Sequence, residues 1–151
     1  MGDKTKTRIL FLCTGNSCRS QMAEGWARAL RGDDLEVQSA GIEKHGLNPL
    51  AVRVMQEAGV DITSQQSNTL SELEPLDVDW VITVCGHADE HCPVLPGDTR
   101  VRHVPFDDPP RLAREAKTEE EALGHYRRVR DEIRAFVEKL PASLEAGPQE
   151  G

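Results

Sequence analysis

The segment CTGNSCR, residues 13–19, combines a nucleophilic side chain with groups that bind anions. Cys13 directly follows an apolar run, and Arg19 comes after five intervening residues. If a helix begins near Cys18, its first amides lack intrahelical acceptors and its dipole is positive at that end. The small residues in between allow successive N–H groups to turn towards an oxyanion. The predicted oxyanion-binding residues are Thr14, Gly15, Asn16, Ser17, Cys18 and Arg19.

The side chains of this segment predict a nucleophile held beside an anion. The Arg19 guanidinium can donate hydrogen bonds to two oxygens of a tetrahedral anion. The same positive field is expected to lower the pKa of Cys13 and make its thiolate the nucleophile. Ser20 is expected to donate a hydrogen bond to that sulfur, and Cys18 to contribute its amide rather than its thiol. The alternative is a strand-to-helix turn with two buried cysteines.

A second segment, VCGHADEHCPVLP at residues 84–96, also follows an apolar run. Cys85 would lie near Cys13 if the two strands are neighbours, and Cys92 comes seven positions after Cys85. If residues 85–92 are helical, the two Cα atoms are about 10 Å apart along the axis. A disulfide, which needs roughly 5.5–6 Å, would then require rearrangement and would be labile.

Zinc is the competing interpretation of this second segment. Cys85, His87, His91 and Cys92 offer four ligands within eight residues. Structural zinc sites usually draw two short pairs from separated segments, and adjacent His91 and Cys92 make tetrahedral closure awkward. A purely structural role for the two cysteines is the third possibility.

Two adjacent aspartates, Asp107 and Asp108, stand before prolines in PFDDPP, residues 105–110. A transferred oxyanion leaves an oxygen that must be protonated, and a carboxylic acid near the loop could supply the proton. Asp-Pro is also a common solvent-exposed turn. The residues alone leave both interpretations open.

The elements that must position these residues alternate between strands and helices. Apolar patterns predict strands at 9–12, 35–38, 80–84 and 101–104, and helices from about 18 to Gly32, from Asn48-Pro49 to Gly59, and over 118–140, with one short helix at 70–74. This alternation predicts an α/β fold with a parallel sheet covered on both faces. Ligands of such folds bind at the carboxyl ends of the strands, beside a topological switch point. Both cysteine segments begin at such ends. Residues 1–140 are expected to form one domain and 141–151 a disordered tail.

Composition excludes several classes of function. The chain has 151 residues and a net charge of −8, which argues against binding a nucleic-acid backbone as its main task. The sequence shows neither a signal peptide nor a membrane-spanning run. We therefore expect a cytoplasmic protein that does not act at membranes and whose four cysteines have redox, catalytic or metal-binding roles.

The stretch CTGNSCRSQMAEGW resembles the active-site loop of low-molecular-weight protein tyrosine phosphatases and of the thioredoxin-coupled arsenate reductases built on that fold. Residues 20–24, Ser-Gln-Met-Ala-Glu, are typical of the reductases, whereas the phosphatases usually have Pro in place of Gln21. Cys85, Cys92 and the following PVLP match a cysteine pair that the phosphatases generally lack. SAGIEKHGLNP, residues 39–49, extends the similarity.

The resemblance implies a three-layer sandwich with a central four-stranded parallel sheet and a three-cysteine mechanism. Cys13 attacks arsenate, and Asp108, the Asp directly before Pro, protonates the departing oxygen. Cys85 then releases arsenite by forming a disulfide with Cys13, and Cys92 resolves it to a Cys85–Cys92 disulfide that thioredoxin reduces. The implied protein is a monomer without a tightly bound cofactor, and a weak phosphatase side activity would be compatible with it.

The resemblance also implies a monovalent cation beside the loop in some relatives. Asn16, Glu24 and Ser39 match three of its ligands, but Asn68 replaces an expected Asp, which makes potassium dependence doubtful. Two other functions stay open. One is a phosphomonoesterase that uses Cys13, Arg19 and Asp108, and the other is a non-enzymatic redox or zinc-responsive module centred on 85–92.

Overall fold

A four-stranded parallel sheet forms the centre of the protein. The structure, a computed structural model, describes residues 6–73, 77–85 and 99–145. The strands are β1 (Thr7–Cys13), β2 (Leu35–Gly41), β3 (Trp80–Thr83) and β4 (Arg100–His103). Four consecutive residues of β1, from Ile9 to Leu12, are fully buried, so both faces of the central strand are covered. The predicted α/β class with a four-stranded parallel sheet is confirmed.

The strand order places the two cysteine segments side by side. The order across the sheet is β2-β1-β3-β4, and every neighbouring pair is parallel. The chain therefore moves to one side of β1 with β2 and returns to its other side with β3, which makes the gap between β1 and β3 a switch point. Leu12 pairs with Thr83, so Cys13 and Cys85 leave the sheet at the same edge.

Helices flank the sheet and pack on each other. They are α1 (Arg19–Arg31), α2 (Pro49–Glu57), α3 (Pro109–Ala113), α4 (Glu119–Val137) and α5 (Ala142–Glu145), with a 3-10 turn at Ser71–Leu73. The long helix α4 packs on α1, α2 and α3 through the apolar face that its sequence periodicity predicts. Within the described residues, none of the helices is both long and apolar enough to cross a membrane.

Some predicted boundaries are wrong. Strand β2 continues to Gly41, three residues beyond its predicted end, because its parallel pairing with β1 continues to Gly41 and Cys13. The tail predicted to be disordered from residue 141 begins with α5, whose Leu144 is 3% exposed and belongs to the core. The predicted boundary at residue 140 is therefore too early. The conditional helix over 85–92 lies, beyond Cys85, outside the described residues.

Candidate active site

The loop between β1 and α1 turns its carbonyl groups outward and its amides inward. The carbonyls of residues 13–17 each accept a hydrogen bond from outside the loop; their donors are Ile42 N, Glu43 N, His45 N, the Gln21 side chain and Asn48 N. Within the described part of the chain, the amides of residues 15–19 have no protein acceptor. This arrangement forms a concave array of N–H groups at the start of a helix, as anion-binding nests do.

Asn16 gives the loop its turn. Its φ of 48° lies in the left-handed region, which Asn tolerates better than most residues. The side chain is fully buried and fixes this conformation. Its Nδ2 donates to Ser20 Oγ at 2.9 Å and to Ser39 Oγ at 3.0 Å, and its Oδ1 accepts from Asn68 N at 2.7 Å.

The Arg19 guanidinium is held over the loop by two of its nitrogens, which leaves the third available to a ligand. Its Nη1 donates to Phe106 O at 3.0 Å, and its Nη2 lies 3.4 Å from Asp108 Oδ1. The buried Nε has no hydrogen-bond partner among the described residues. Because a buried guanidinium donor without an acceptor is costly, this atom is suited to a ligand oxygen. The structure thus brings Arg19 and Asp108, both predicted site residues, to one side of the loop.

Cys13 and Cys85 face one another across the switch point. Their thiols are in hydrogen-bonding contact, and Thr14 Oγ1 lies 3.1 Å from Cys85 Sγ. Both cysteines are buried. The predicted proximity of the two cysteines is therefore correct. Thr14 is part of the loop and also contacts the Cys85 thiol.

The predicted lowering of the Cys13 pKa is wrong. The contact with Cys85 and the burial of the thiol raise the pKa of Cys13 well above its usual value. The positive charge of Arg19 and the amide of Thr14 act in the opposite direction but are outweighed. The sequence showed the positive field of the loop but not the second thiol in contact with the first.

Two other loop residues differ in role. Burial raises the pKa of Cys18 to about 12, so this thiol stays protonated at neutral pH, as expected of a residue that contributes its amide. Ser20 Oγ accepts its hydrogen bond from Asn16. The structure thus gives Ser20 a place in holding the loop, and its predicted bond to Cys13 Sγ stays a prediction.

A cavity of ≈ 340 Å³ opens above the loop. Besides predicted residues it is lined by four that were not predicted to belong to the site: His45, Asn48, Pro110 and Arg114. The His45 ring packs against Gly15, so a Cβ at this position would force the ring to move. The Asn-Pro capping pattern predicts that Asn48 begins a helix, but it does not indicate that this residue lies beside the loop.

The residues expected to bind a monovalent cation lie together, but their oxygens are already partnered. Ser39 Oγ accepts from Asn16 Nδ2 at 3.0 Å and donates to Glu24 Oε1 at 2.6 Å. Glu24 Oε2 accepts from Arg28 Nη2 at 2.6 Å and from Arg28 Nε at 2.9 Å. Asn16 Oδ1 accepts the Asn68 amide. Since hard cations require several oxygen ligands, this donor set does not fit a potassium ion.

The second cysteine segment is only partly described. Cys92, His87 and His91 lie outside the described residues, so the predicted redox partner and the zinc alternative stay predictions. Within residues 6–73, 77–85 and 99–145, the side chains form no cluster of three or more His, Cys, Asp or Glu able to hold a metal ion.

Known proteins share this fold and much of this sequence. The profile of the family described as low molecular weight phosphotyrosine protein phosphatase matches residues 8–150. An arsenate reductase from Bacillus licheniformis is 53% identical over 136 residues, which cover 90% of this chain and 96% of the relative. A solved arsenate reductase in the phosphate binding state is 31% identical, with a TM-score of 0.69, and the match covers 91% of this chain and 98% of that one.

A solved phosphatase is also similar. The low molecular weight protein tyrosine phosphatase from T. tengcongensis is 27% identical, with a TM-score of 0.72, and the match covers 92% of this chain and all of the other. The family profile spans nearly the whole chain, and the loop, the sheet order and these relatives agree with it. The expected resemblance is confirmed: the chain belongs to the low molecular weight phosphotyrosine protein phosphatase family.

Proposed function

We propose that the protein is an arsenate reductase that passes electrons from thioredoxin through three of its cysteines to arsenate. The relative that is 53% identical over most of both chains is an arsenate reductase, which supports the substrate. The inward-facing amides of the loop and the unpartnered Nε of Arg19 support binding of a tetrahedral oxyanion.

In the first step, Cys13 displaces one oxygen of arsenate and forms a sulfur–arsenic(V) bond. The loop amides and Arg19 hold the remaining oxygens, and Asp108 protonates the departing oxygen so that it leaves as water. Because the pKa of Cys13 is raised, its proton must leave before or during this step. Arg19, which lowers the pKa of Cys13, favours that loss.

In the second step, the Cys85 thiolate attacks Cys13 Sγ. The sulfur–arsenic bond breaks, and its electron pair passes to arsenic, which is reduced from As(V) to As(III). The two sulfurs are oxidised to a Cys13–Cys85 disulfide. The hydroxyl of Thr14 can donate to the Cys85 thiolate and so favour the nucleophilic form.

In the third step, Cys92 attacks Cys85 and regenerates the Cys13 thiolate. The resulting Cys85–Cys92 disulfide is reduced by the two thiols of thioredoxin, which returns the protein to its starting state. This step rests on the family resemblance, because Cys92 lies outside the described residues.

The contact between the Cys13 and Cys85 thiols carries this proposal. A phosphomonoesterase of the same fold needs only one thiol and a water molecule, so it gives no reason for a second thiol in contact with the first. Among the described residues that line the cavity, there is also no Phe, Tyr or Trp on which an aryl phosphate could stack.

The test is NADPH oxidation by thioredoxin reductase, thioredoxin and this protein, with and without arsenate. The expected result is arsenate-dependent oxidation by the wild type and its loss in Cys92→Ser and Cys85→Ser. Cys18→Ser is the matched control, since it removes a buried thiol of the same loop that has no place in the relay.

The contrary result would be hydrolysis of an aryl phosphate that is equal in the wild type and Cys92→Ser, without arsenate-dependent oxidation. That outcome would make the protein a phosphatase. Stoichiometric zinc released by denaturation, with neither activity, would instead favour the metal-responsive module.

A further inference from the structure

Glu24 is a buried carboxylate that no step of the proposed mechanism uses. It lies on α1, one turn beyond the oxyanion loop, and its side chain is 8% exposed. A buried carboxylate is costly unless it is paired and hydrogen-bonded. Both of its oxygens are satisfied: Ser39 donates to Oε1, and Arg28 donates twice to Oε2.

The Arg28 guanidinium is fixed in place by a third hydrogen bond. Besides its two bonds to Glu24, its Nη2 donates to Val37 O of β2 at 3.1 Å. The guanidinium therefore ties the helix that follows the loop to the strand that supports the loop. It also puts a permanent positive charge against the one acidic side chain of the Asn16, Glu24 and Ser39 cluster.

This ion pair is connected to the conformation of the loop. Glu24 holds the Ser39 hydroxyl as a donor, which leaves the Ser39 oxygen to accept from Asn16 Nδ2. Asn16 is the residue with positive φ that turns the loop amides inward. Without Arg28, the Glu24 carboxylate would no longer be held in place. The Ser39 hydroxyl would then be free to reorient, and its hydrogen bond from Asn16 would weaken. The loop amides would therefore be less preorganised.

We infer that Arg28 is a positioning residue whose guanidinium serves as a built-in counter-cation for the oxyanion loop, in place of a bound monovalent ion. The inference deepens the proposed function, on whose oxyanion binding it rests. A cavity of ≈ 380 Å³ borders this ion pair and is lined by Glu24, Arg28, Ser39 and Asn68, among others. Removal of the guanidinium would therefore expose Glu24 to a space that a dissolved cation can enter.

The test measures sulfate binding by calorimetry and thermal unfolding, each in potassium chloride and in choline chloride at equal ionic strength. Sulfate is a tetrahedral dianion that cannot be reduced under these conditions, so the readout does not depend on turnover. The wild type should show the same sulfate affinity and the same melting temperature in both salts.

Arg28→Ala should bind sulfate about 10-fold more weakly in choline chloride, a size typical of one lost hydrogen bond to a charged group. Potassium should restore most of this affinity and raise the melting temperature. The double variant Glu24→Gln with Arg28→Ala should show no potassium response, since the carboxylate that would hold the ion is absent. Arg28→Lys, which keeps the charge, should not respond to potassium either.

Arg31→Ala is the matched control. Arg31 lies one turn further along α1, donates to Leu140 O at 2.8 Å and pairs with Asp34, without touching Glu24. Its variant should lose stability equally in both salts and keep the wild-type sulfate affinity. This separates loss of packing from loss of the counter-charge.

Three results would overturn the inference. They are saturable strengthening of sulfate binding by potassium in the wild type, unchanged affinity in Arg28→Ala, and weakened affinity in Arg28→Ala that potassium does not restore. If Arg28→Ala does not fold, the wild type and Arg28→Lys still decide, because both must be indifferent to potassium. A wild type that binds no sulfate in either salt would contradict the proposed function instead.

Discussion

Thr14 is the residue that links the oxyanion loop to the second thiol. Its backbone amide faces Cys13, and its hydroxyl lies 3.1 Å from Cys85 Sγ. A hydroxyl in this position can stabilise the Cys85 thiolate without touching the arsenic atom. Its contribution should therefore appear in the second step and not in the binding of the oxyanion.

Thr14→Val should lower the turnover number about 10-fold, because one hydrogen bond to a charged sulfur is lost. Sulfate affinity should stay close to that of the wild type, since the loop amides remain. Steady-state kinetics and calorimetry measure the two quantities. Thr14→Ser keeps the hydroxyl and should keep turnover, and a Thr14→Val enzyme with an unchanged turnover number would remove Thr14 from the relay.

Substitution of Cys18, unlike that of Thr14, should have little effect on turnover, although both residues lie in the same loop. Burial raises the pKa of its thiol to about 12, so it is a neutral thiol at the pH of the reaction. Cys18→Ser should retain turnover within about threefold, a size expected when only minor packing changes. Cys13→Ser, by contrast, should be inactive. An inactive Cys18→Ser protein with intact circular dichroism would show that the Cys18 thiol takes part in the chemistry.

At the scale of the elements, the start of α2 holds the loop from outside. Asn48 Oδ1 caps the helix by accepting from Leu50 N and Ala51 N, and its Nδ2 donates to Tyr126 OH of α4. The backbone N–H of Asn48 donates to Ser17 O of the loop. One residue therefore sets the position of the loop relative to two helices.

Asn48→Ala should cost about 1–2 kcal/mol of unfolding free energy, from the lost cap and the lost bond to Tyr126. It should also weaken sulfate binding, since the cap no longer fixes the donor to Ser17. Thr118→Ala is the control, because Thr118 caps α4 through Glu121 N but does not line the cavity. Equal sulfate affinities in the two variants would contradict the proposed role of Asn48.

The strands and helices also show which features can be predicted from the sequence. The apolar runs of β1 and β3 and the cap at Asn48 are local signals, and they predicted the strands, the helix and the meeting of Cys13 with Cys85. The raised pKa of Cys13 and the pairing of Glu24 with Arg28 depend on which side chains meet after folding. Leu144 was missed because a short amphipathic turn carries too few residues for periodicity to show.

At the scale of the whole molecule, the buried thiols make stability depend on pH. The pKa of Cys18 is raised from 9.0 to about 12 in the folded state, so the unfolded chain loses this proton first as the pH rises. The contribution of the protonated Cys18 thiol to the unfolding free energy is complete below about pH 9. It is lost as the pH rises from there towards the pKa of the folded state. The raised pKa of Cys13 acts in the same direction.

The unfolding free energy should therefore fall more steeply with pH in the wild type than in Cys18→Ala. At one pH unit above the pKa of the unfolded thiol, the unfolding free energy of the wild type should have fallen by about 1.4 kcal/mol more than that of Cys18→Ala. Urea unfolding at pH 7 and pH 10 measures it, and contributions from lysines and Tyr126 cancel because both proteins contain them. Parallel pH dependences would show that the Cys18 thiol ionises as readily in the folded protein as in the unfolded chain.

The proposed relay requires that arsenate oxidise the Cys13–Cys85 pair directly. It is tested most directly by mixing reduced Cys92→Ser protein with excess arsenate in the absence of thioredoxin, then mapping disulfides by mass spectrometry and measuring arsenite. We expect one arsenite per protein and a disulfide that joins Cys13 to Cys85. Protein that keeps both thiols reduced and releases no arsenite, or a disulfide that joins Cys13 to Cys18, would contradict it.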